Sequence, residues 1–223
     1  MTDESPVKLC AYCGLLPGLE IEHVIAECII PKPRPPMIKV PACGICNDNK
    51  KHDDEQLRDM LVMDIENEGH ATTGGAMKGK LIRAIERNQS DFVKQARGKS
   101  IYEERRTVSG ISLGHARRAH TDPERINQIF SWIVRGLLFK ETGERLPADC
   151  IFKAGKVNLG HHDAAIAQLM GMGGKRGPVI PHSFESFYWR MWADTTVTHW
   201  VLRFFNVHVW VRTNFEKYFP EGV

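Results

Sequence analysis

Cys10-Ala11-Tyr12-Cys13 and Cys43-Gly44-Ile45-Cys46 are the stretches whose reading decides the fold, and between them runs Leu19-Glu20-Ile21-Glu22-His23-Val24-Ile25. Met1 to Lys8 is short, polar and acidic, with no secretory pattern, which predicts a reduced, cytoplasmic setting. In such a chain close C-x2-C pairs favour a metal over disulfides. Four thiolates close a tetrahedral shell around one Zn²⁺ and leave no position open for chemistry, so Cys10, Cys13, Cys43 and Cys46 are read as a structural zinc site. Gly14 and Gly44 let the backbone turn sharply beside the knuckles. Cys28, in the apolar run Val24 to Ile30, and Cys150, beside Ile151 and Phe152, are read as small buried hydrophobes.

Working outward, the alternation from Leu19 to Ile25 suits a short half-buried strand that delivers His23 near its end. The prolines between Pro31 and Pro36 make a stiff surface loop, and Met37 to Pro41 reads as a return strand. After Asn47 the pattern becomes helical, with Leu57, Met60, Leu61, Met63 and Ile65 on one broad face. Asp53, Asp54 and Glu55 suit a helix N-terminus, which leaves open whether one helix starts at Cys46 or a second near Asp53. The order is hairpin, knuckle, helix.

With Glu22-His23-Val24-Ile25 after the first knuckle, and Cys43-x2-Cys46-Asn47 followed by Lys50, residues 1–68 resemble an HNH endonuclease. The resemblance implies a ββα-metal core that binds one Mg²⁺ or Mn²⁺ and hydrolyses a phosphodiester bond in DNA. It implies that His23 activates water and that Glu22 and Asn47 hold the ion, with His52, Asn49 or Asp53 as substitute ligands from the helix. One position departs from the pattern: many members carry an asparagine that orients the histidine, where this chain has Met37-Ile38-Lys39. Another acceptor must then orient His23, and a backbone carbonyl suffices. The chemistry needs an activated water, a cation at the departing oxygen and charge compensation at phosphorus. Lys50 or Lys51 can supply a phosphate contact.

Gly69 to Gly75 has the composition of a joint, so residues 76–219 are read as an α+β accessory region. A helix is expected over Ala76 to Ala96. The window from Arg97 to His120 is the most basic, and its Arg105, Arg106, Arg117 and Arg118 read either as a track for a phosphate backbone or as an ordinary solvated loop. Thr121-Asp122-Pro123-Glu124 starts the clearest helix, whose Ile126, Ile129, Phe130, Ile133, Val134, Leu137 and Leu138 form one stripe ending before Gly143. His161-His162 precedes a short helix. Phe187 to Ala193, Val197 to Phe205 and Val207 to Val211 read as an antiparallel meander packed on the Thr121 helix, with Trp189, Trp192, Trp200 and Trp210 as core or edge residues.

The fold class expected is therefore α+β: an N-terminal ββα-metal core with structural zinc, then helices, then an antiparallel β meander. A net charge of +3 over 223 residues says little about partners by itself. No apolar run approaches a membrane span. The function expected is a metal-dependent HNH endonuclease acting on DNA, with a second copy or a partner protein meeting the C-terminal region. Restriction, phage defence and mobile-element processing are the settings the resemblance suggests. Two other readings stand beside it: a zinc-knuckle module that binds nucleic acid without cleaving, and a protein-interaction module working through the aromatic meander.

Overall fold

The computed structural model describes residues 8–64, 67, 70, 78–87, 100–106, 110, 112–119, 122–158 and 160–219. Residues 1–7 and the expected joint at 69–75, apart from His70, lie outside them. The fold is α+β. Strands β1 (Glu20–His23) and β2 (Lys39–Ala42) pair antiparallel, with Glu22 opposite Val40 and His23 opposite Lys39. Helix α1 (Gly44–Met63) starts at the second knuckle and runs unbroken, with Cys43 as its N-cap. The acidic run at Asp53 is thus mid-helix. Asp53 and Asp54 are buried there beside cationic side chains rather than facing a helix start.

Helix α2 (Lys78–Glu86) covers the described part of the expected 76–96 helix. The basic window contains a two-stranded antiparallel ribbon, β3 (Ser100–Arg106) and β4 (Ser112–Ala119). Its sequence hid this because charges, rather than apolar residues, occupy successive strand positions. Gly114 takes φ +89°, next to the register shift at Arg105/Arg106. The ribbon places the backbones of Arg105, Arg106, Arg117 and Arg118 on facing strands, and the expectation of phosphate contact falls on side chains outside the described set.

Helix α3 (Pro123–Thr142) is the central packing element. Asp122 accepts the backbone N–H of Glu124 at 3.0 Å, Pro123 sits in the first turn, and Gly143 closes the end at φ +72° with its N–H on the Phe139 carbonyl. One side of α3 meets the hairpin and α1, and another meets strand β5 (Phe152–Lys156). The buried stripe Ile129, Phe130, Ile133, Val134, Leu137 and Leu138 joins one continuous core that contains Cys10, Val24, Ile25, Leu57, Trp200 and Val211. Trp132 and Arg135, off that stripe, also find partners. Trp132 donates to Asp53 Oδ2 at 2.7 Å, and Arg135 donates to the carbonyls of Leu146 and Pro147.

A glycine marks the closest approach of α3 to the N-terminal hairpin. A Cβ on Gly136 would lie 2.8 Å from Val24 Cγ2 and 2.9 Å from Cγ1. Val24 is fully buried and β-branched, so it has no easy rotamer to retreat into. Gly136→Ala is expected to destabilise the protein by about 1–3 kcal/mol from overpacking, outweighing the ~1 kcal/mol that alanine gains over glycine in a helix. Urea denaturation reads the sign directly, and a stabilised variant would show that the contact yields.

The C-terminal region is a five-stranded antiparallel sheet in the order β5, β9 (Val207–Thr213), β8 (Thr198–Phe204), β7 (Phe184–Arg190), β6 (Lys175–Arg176). The three expected strands are its centre, and β5 and β6 extend it on either side. Helix α4 (His162–Gly171) packs against β7 and β8. Trp200 is fully buried, whereas Trp192 is 92% exposed in the β7–β8 connection. The β8–β9 turn uses Phe205 at φ +57°, and the Asn206 N–H donates to Asn67 Oδ1 at 3.0 Å. Asn67 also donates to the Leu61 carbonyl, so one amide ties the end of α1 to the sheet. Among the described residues no helix is long and apolar enough to cross a membrane.

Candidate functional site

The four knuckle cysteines converge. Their Sγ atoms all lie within 4.8 Å of one another, at the junction of the β1–β2 hairpin and the start of α1. A Zn–S bond of about 2.3 Å makes the edge of a tetrahedron about 3.8 Å, and Cys13 Sγ lies 3.9 Å from Cys43 Sγ. That separation is far beyond a disulfide bond of ~2.05 Å, and none of the six cysteines is in a disulfide. The residues therefore fit a zinc ion, beside a ββα element compatible with an HNH-like core.

Local backbone contacts hold the knuckles in place. Gly14 turns at φ +66° and donates to the Cys10 carbonyl, while Ala11 donates to the Pro41 carbonyl across the hairpin. Arg145, just after α3, donates to the carbonyls of Leu9 and Cys10. Burial raises the Cys43 thiol, and burial with the neighbouring thiols raises Cys46 strongly. At Cys13 burial acts upward as well, but hydrogen bonds from the Leu15 and Leu16 backbone and with the Cys10 and Cys43 thiols together bring the thiol down to about 7. Metal binding at the cluster would thus release protons.

Beside the cluster, the residues implied as catalytic are arranged in two separate pairs. Glu22 faces inward. Its Oε1 accepts from Lys50 Nζ at 3.0 Å, and the same ammonium donates to the His23 carbonyl at 3.0 Å and to Asp54 Oδ1 and Oδ2 at 2.8 and 2.6 Å. Lys50 is fully buried and so is not placed for the expected phosphate contact, whereas Lys51, at the next position of α1, is exposed. Burial pushes the Asp54 carboxyl up to about 7, against the pull of Lys50. Tyr12 is buried nearby with no hydrogen-bond partner for its hydroxyl, and burial, then Glu22 and Asp54, raise its pKa well above the ordinary value.

Asn47 faces a different carboxylate. Its Nδ2 donates to Glu20 Oε2 at 2.5 Å, and Glu20 Oε1 lies 3.2 Å from where a Cβ on Gly44 would stand. Glu20 thus comes from β1 to the N-terminus of α1, where negative charge is favoured. Strand alternation gave no reason to separate Glu20 from Glu22, and the resemblance pointed to Glu22 alone. His52 and Asn49 are exposed on α1, and Asp53 is committed to Trp132 and an ion pair with Arg125. Among the described residues the knuckle cysteines are the only group of three or more His, Cys, Asp or Glu close enough to share an ion.

His23 keeps an accessible imidazole at the end of β1, with a side-chain exposure of 21%. Its Nδ1 lies 3.7 Å from Glu27 Oε1, one helical turn's spacing along the chain, and Arg34 pairs with Glu27 Oε2 at 3.1 Å. Arg34 also donates to the Glu27 backbone carbonyl. A carboxylate from the following loop thus lies beside His23 Nδ1. Burial lowers the pKa of His23, with Glu27 acting in the opposite direction and Lys39 in the same one. The imidazole is accordingly neutral at neutral pH, the form a general base requires. Lys39, opposite His23 in the hairpin, is exposed and adds a cation that the sequence reading did not single out.

Compared with protein-family models, with curated proteins and with solved structures, the chain matches none.

Proposed function

We propose that the chain is an HNH-type endonuclease acting on DNA, in which His23 takes the proton from the attacking water. What supports this reading is the neutral, part-exposed imidazole at the end of β1, backed by Glu27 and Arg34, on a hairpin that four thiolates clamp to α1. Clamping matters because a base must be held close to its geometry to contribute, and a two-stranded hairpin has little stability alone. Lys39, opposite His23 in the hairpin, and Lys51, on α1, are exposed cations that would meet phosphate oxygens.

The resemblance also assigns a Mg²⁺ or Mn²⁺ ion to Glu22 and Asn47, which would stabilise the departing oxygen. Those two residues do not fit such an ion as they stand, since Lys50 holds the Glu22 carboxylate and Asn47 turns its amide to Glu20. This observation favours the second reading, a zinc-stapled module that binds nucleic acid without cutting it.

Plasmid relaxation by the zinc-loaded protein decides between them, run with Mg²⁺, with Mn²⁺ and with neither. On the endonuclease reading the wild type nicks the plasmid, and His23→Ala should lower the rate by about 10²–10⁴-fold, the usual share of a general base. DNA affinity and zinc content should be unchanged in the variant. A wild-type protein that shifts DNA on a gel but leaves the plasmid supercoiled under all three conditions would establish the binding module instead.

A further inference from the structure

The ammonium of Lys50, in the second turn of α1, has an unusual position for a lysine. It is 0% exposed and donates to three groups from two elements: Glu22 Oε1 at 3.0 Å and the His23 carbonyl at 3.0 Å from β1, and Asp54 at 2.6 and 2.8 Å from its own helix. An ammonium has three protons and no acceptor, so these partners use its whole capacity. The Glu22 and Asp54 side chains are themselves only 13% and 12% exposed. A buried cation so placed orients both carboxylates and ties β1 to α1 at the residue next to His23.

We infer that Lys50 is the resident cation of this pocket, standing in place of the divalent ion, and that Glu22 does not ligate Mg²⁺ or Mn²⁺ in this protein. An ion bound at about 2.1 Å to Glu22 Oε1, the oxygen that Lys50 holds, would lie within about 5 Å of Nζ, given the 3.0 Å contact from Nζ to Oε1. Two cations at that range inside a poorly hydrated pocket repel strongly. Relief would require the ammonium to leave, which strands two buried carboxylates and one carbonyl without their donor. Mg²⁺ also keeps several of its waters, and the Glu22 side chain offers them little room at 13% exposure. The inference concerns binding, so it holds or fails whether or not the chain cleaves DNA.

The test is Mn²⁺ binding to the zinc-loaded full chain, read from the electron paramagnetic resonance signal of free Mn²⁺. Wild type and Glu22→Gln are expected to give the same isotherm. Lys50→Met, which keeps the length and removes the charge, is expected to gain a Mn²⁺ site at least 10-fold tighter than any in wild type. That site should vanish in the Lys50→Met/Glu22→Gln double variant. A single wild-type Mn²⁺ site lost on Glu22→Gln would overturn the inference. Should Lys50→Met fail to fold, the comparison of wild type with Glu22→Gln decides alone, equality supporting the assignment and a lost site refuting it.

Discussion

Cys43→Ser is expected to abolish zinc binding at the cluster and to unfold the β1–β2 hairpin together with the first turns of α1. Cys43 contributes one thiolate to the cluster and is also the N-cap residue of α1, so its loss removes the clamp at the point where hairpin and helix join. The hairpin has only four residues in each strand, and the exposed Leu15, Leu19 and Ile21 show how little of its outer side is covered. Structural zinc contributes on the order of 10–16 kcal/mol in small zinc-folded peptides, as much as the whole stability of an ordinary domain, roughly 5–15 kcal/mol. The inner side of this hairpin packs on α3, which retains part of the structure, so partial rather than global unfolding is expected. Colorimetric zinc release should fall from one equivalent to near zero, and proteolysis should open between Lys8 and Ala42. Cys28→Ser supplies the control, because its thiol lies outside the cluster. Retention of one tightly held zinc by Cys43→Ser, with unchanged proteolysis, would refute the four-thiolate assignment.

Trp200→Ala costs about 3–5 kcal/mol, the range for truncating a buried aromatic side chain. Trp200 is fully buried on β8, the middle strand of the sheet, and stacks on Tyr188 with ring centroids 4.5 Å apart. Its Nε1 donates to Thr198 Oγ1 at 2.8 Å, and that hydroxyl pairs with Thr213 Oγ1, which reaches the Thr196 carbonyl. Alanine would therefore empty the centre of the sheet and also remove a donor from a buried hydroxyl chain. Trp200→Phe separates the two contributions, since it keeps most of the ring and loses only the N–H. Urea denaturation should place Trp200→Phe between wild type and Trp200→Ala, and an alanine variant within 1 kcal/mol of wild type (about a fivefold change in the unfolding equilibrium) would show that the core collapses around the gap.

The parts of the fold legible in the sequence are those whose signal is local. The C-x2-C spacing, the capped start and glycine stop of α3, and the alternation of β8 and β9 each lie within a few residues of one another. The β3–β4 ribbon and the short edge strands β5 and β6 were not legible, because their pairing depends on partners rather than on a periodic apolar pattern. At the candidate site the same division holds. The imidazole of His23 and the thiolate cluster follow from motif and spacing, but Glu20, Glu27, Arg34 and Lys39 enter only through contacts across the hairpin and its loop.

By itself the sequence determined that four cysteines would gather beside a hairpin and a helix, since two close thiolate pairs with flanking glycines constrain their own surroundings. Only the tertiary structure decided which charges meet. Glu20 and Glu22 are equivalent on an alternating strand, and Lys50 and Lys51 are neighbours on a helix, yet Glu22 and Lys50 are buried as a pair while Lys51 is left to solvent. That choice rests on how α1 is rotated against β1, with Asp53 drawn to Trp132 and Arg125 of α3 and Asp54 to Lys50. A helix rotation is set by the packing of three elements at once, and no local stretch of sequence contains it.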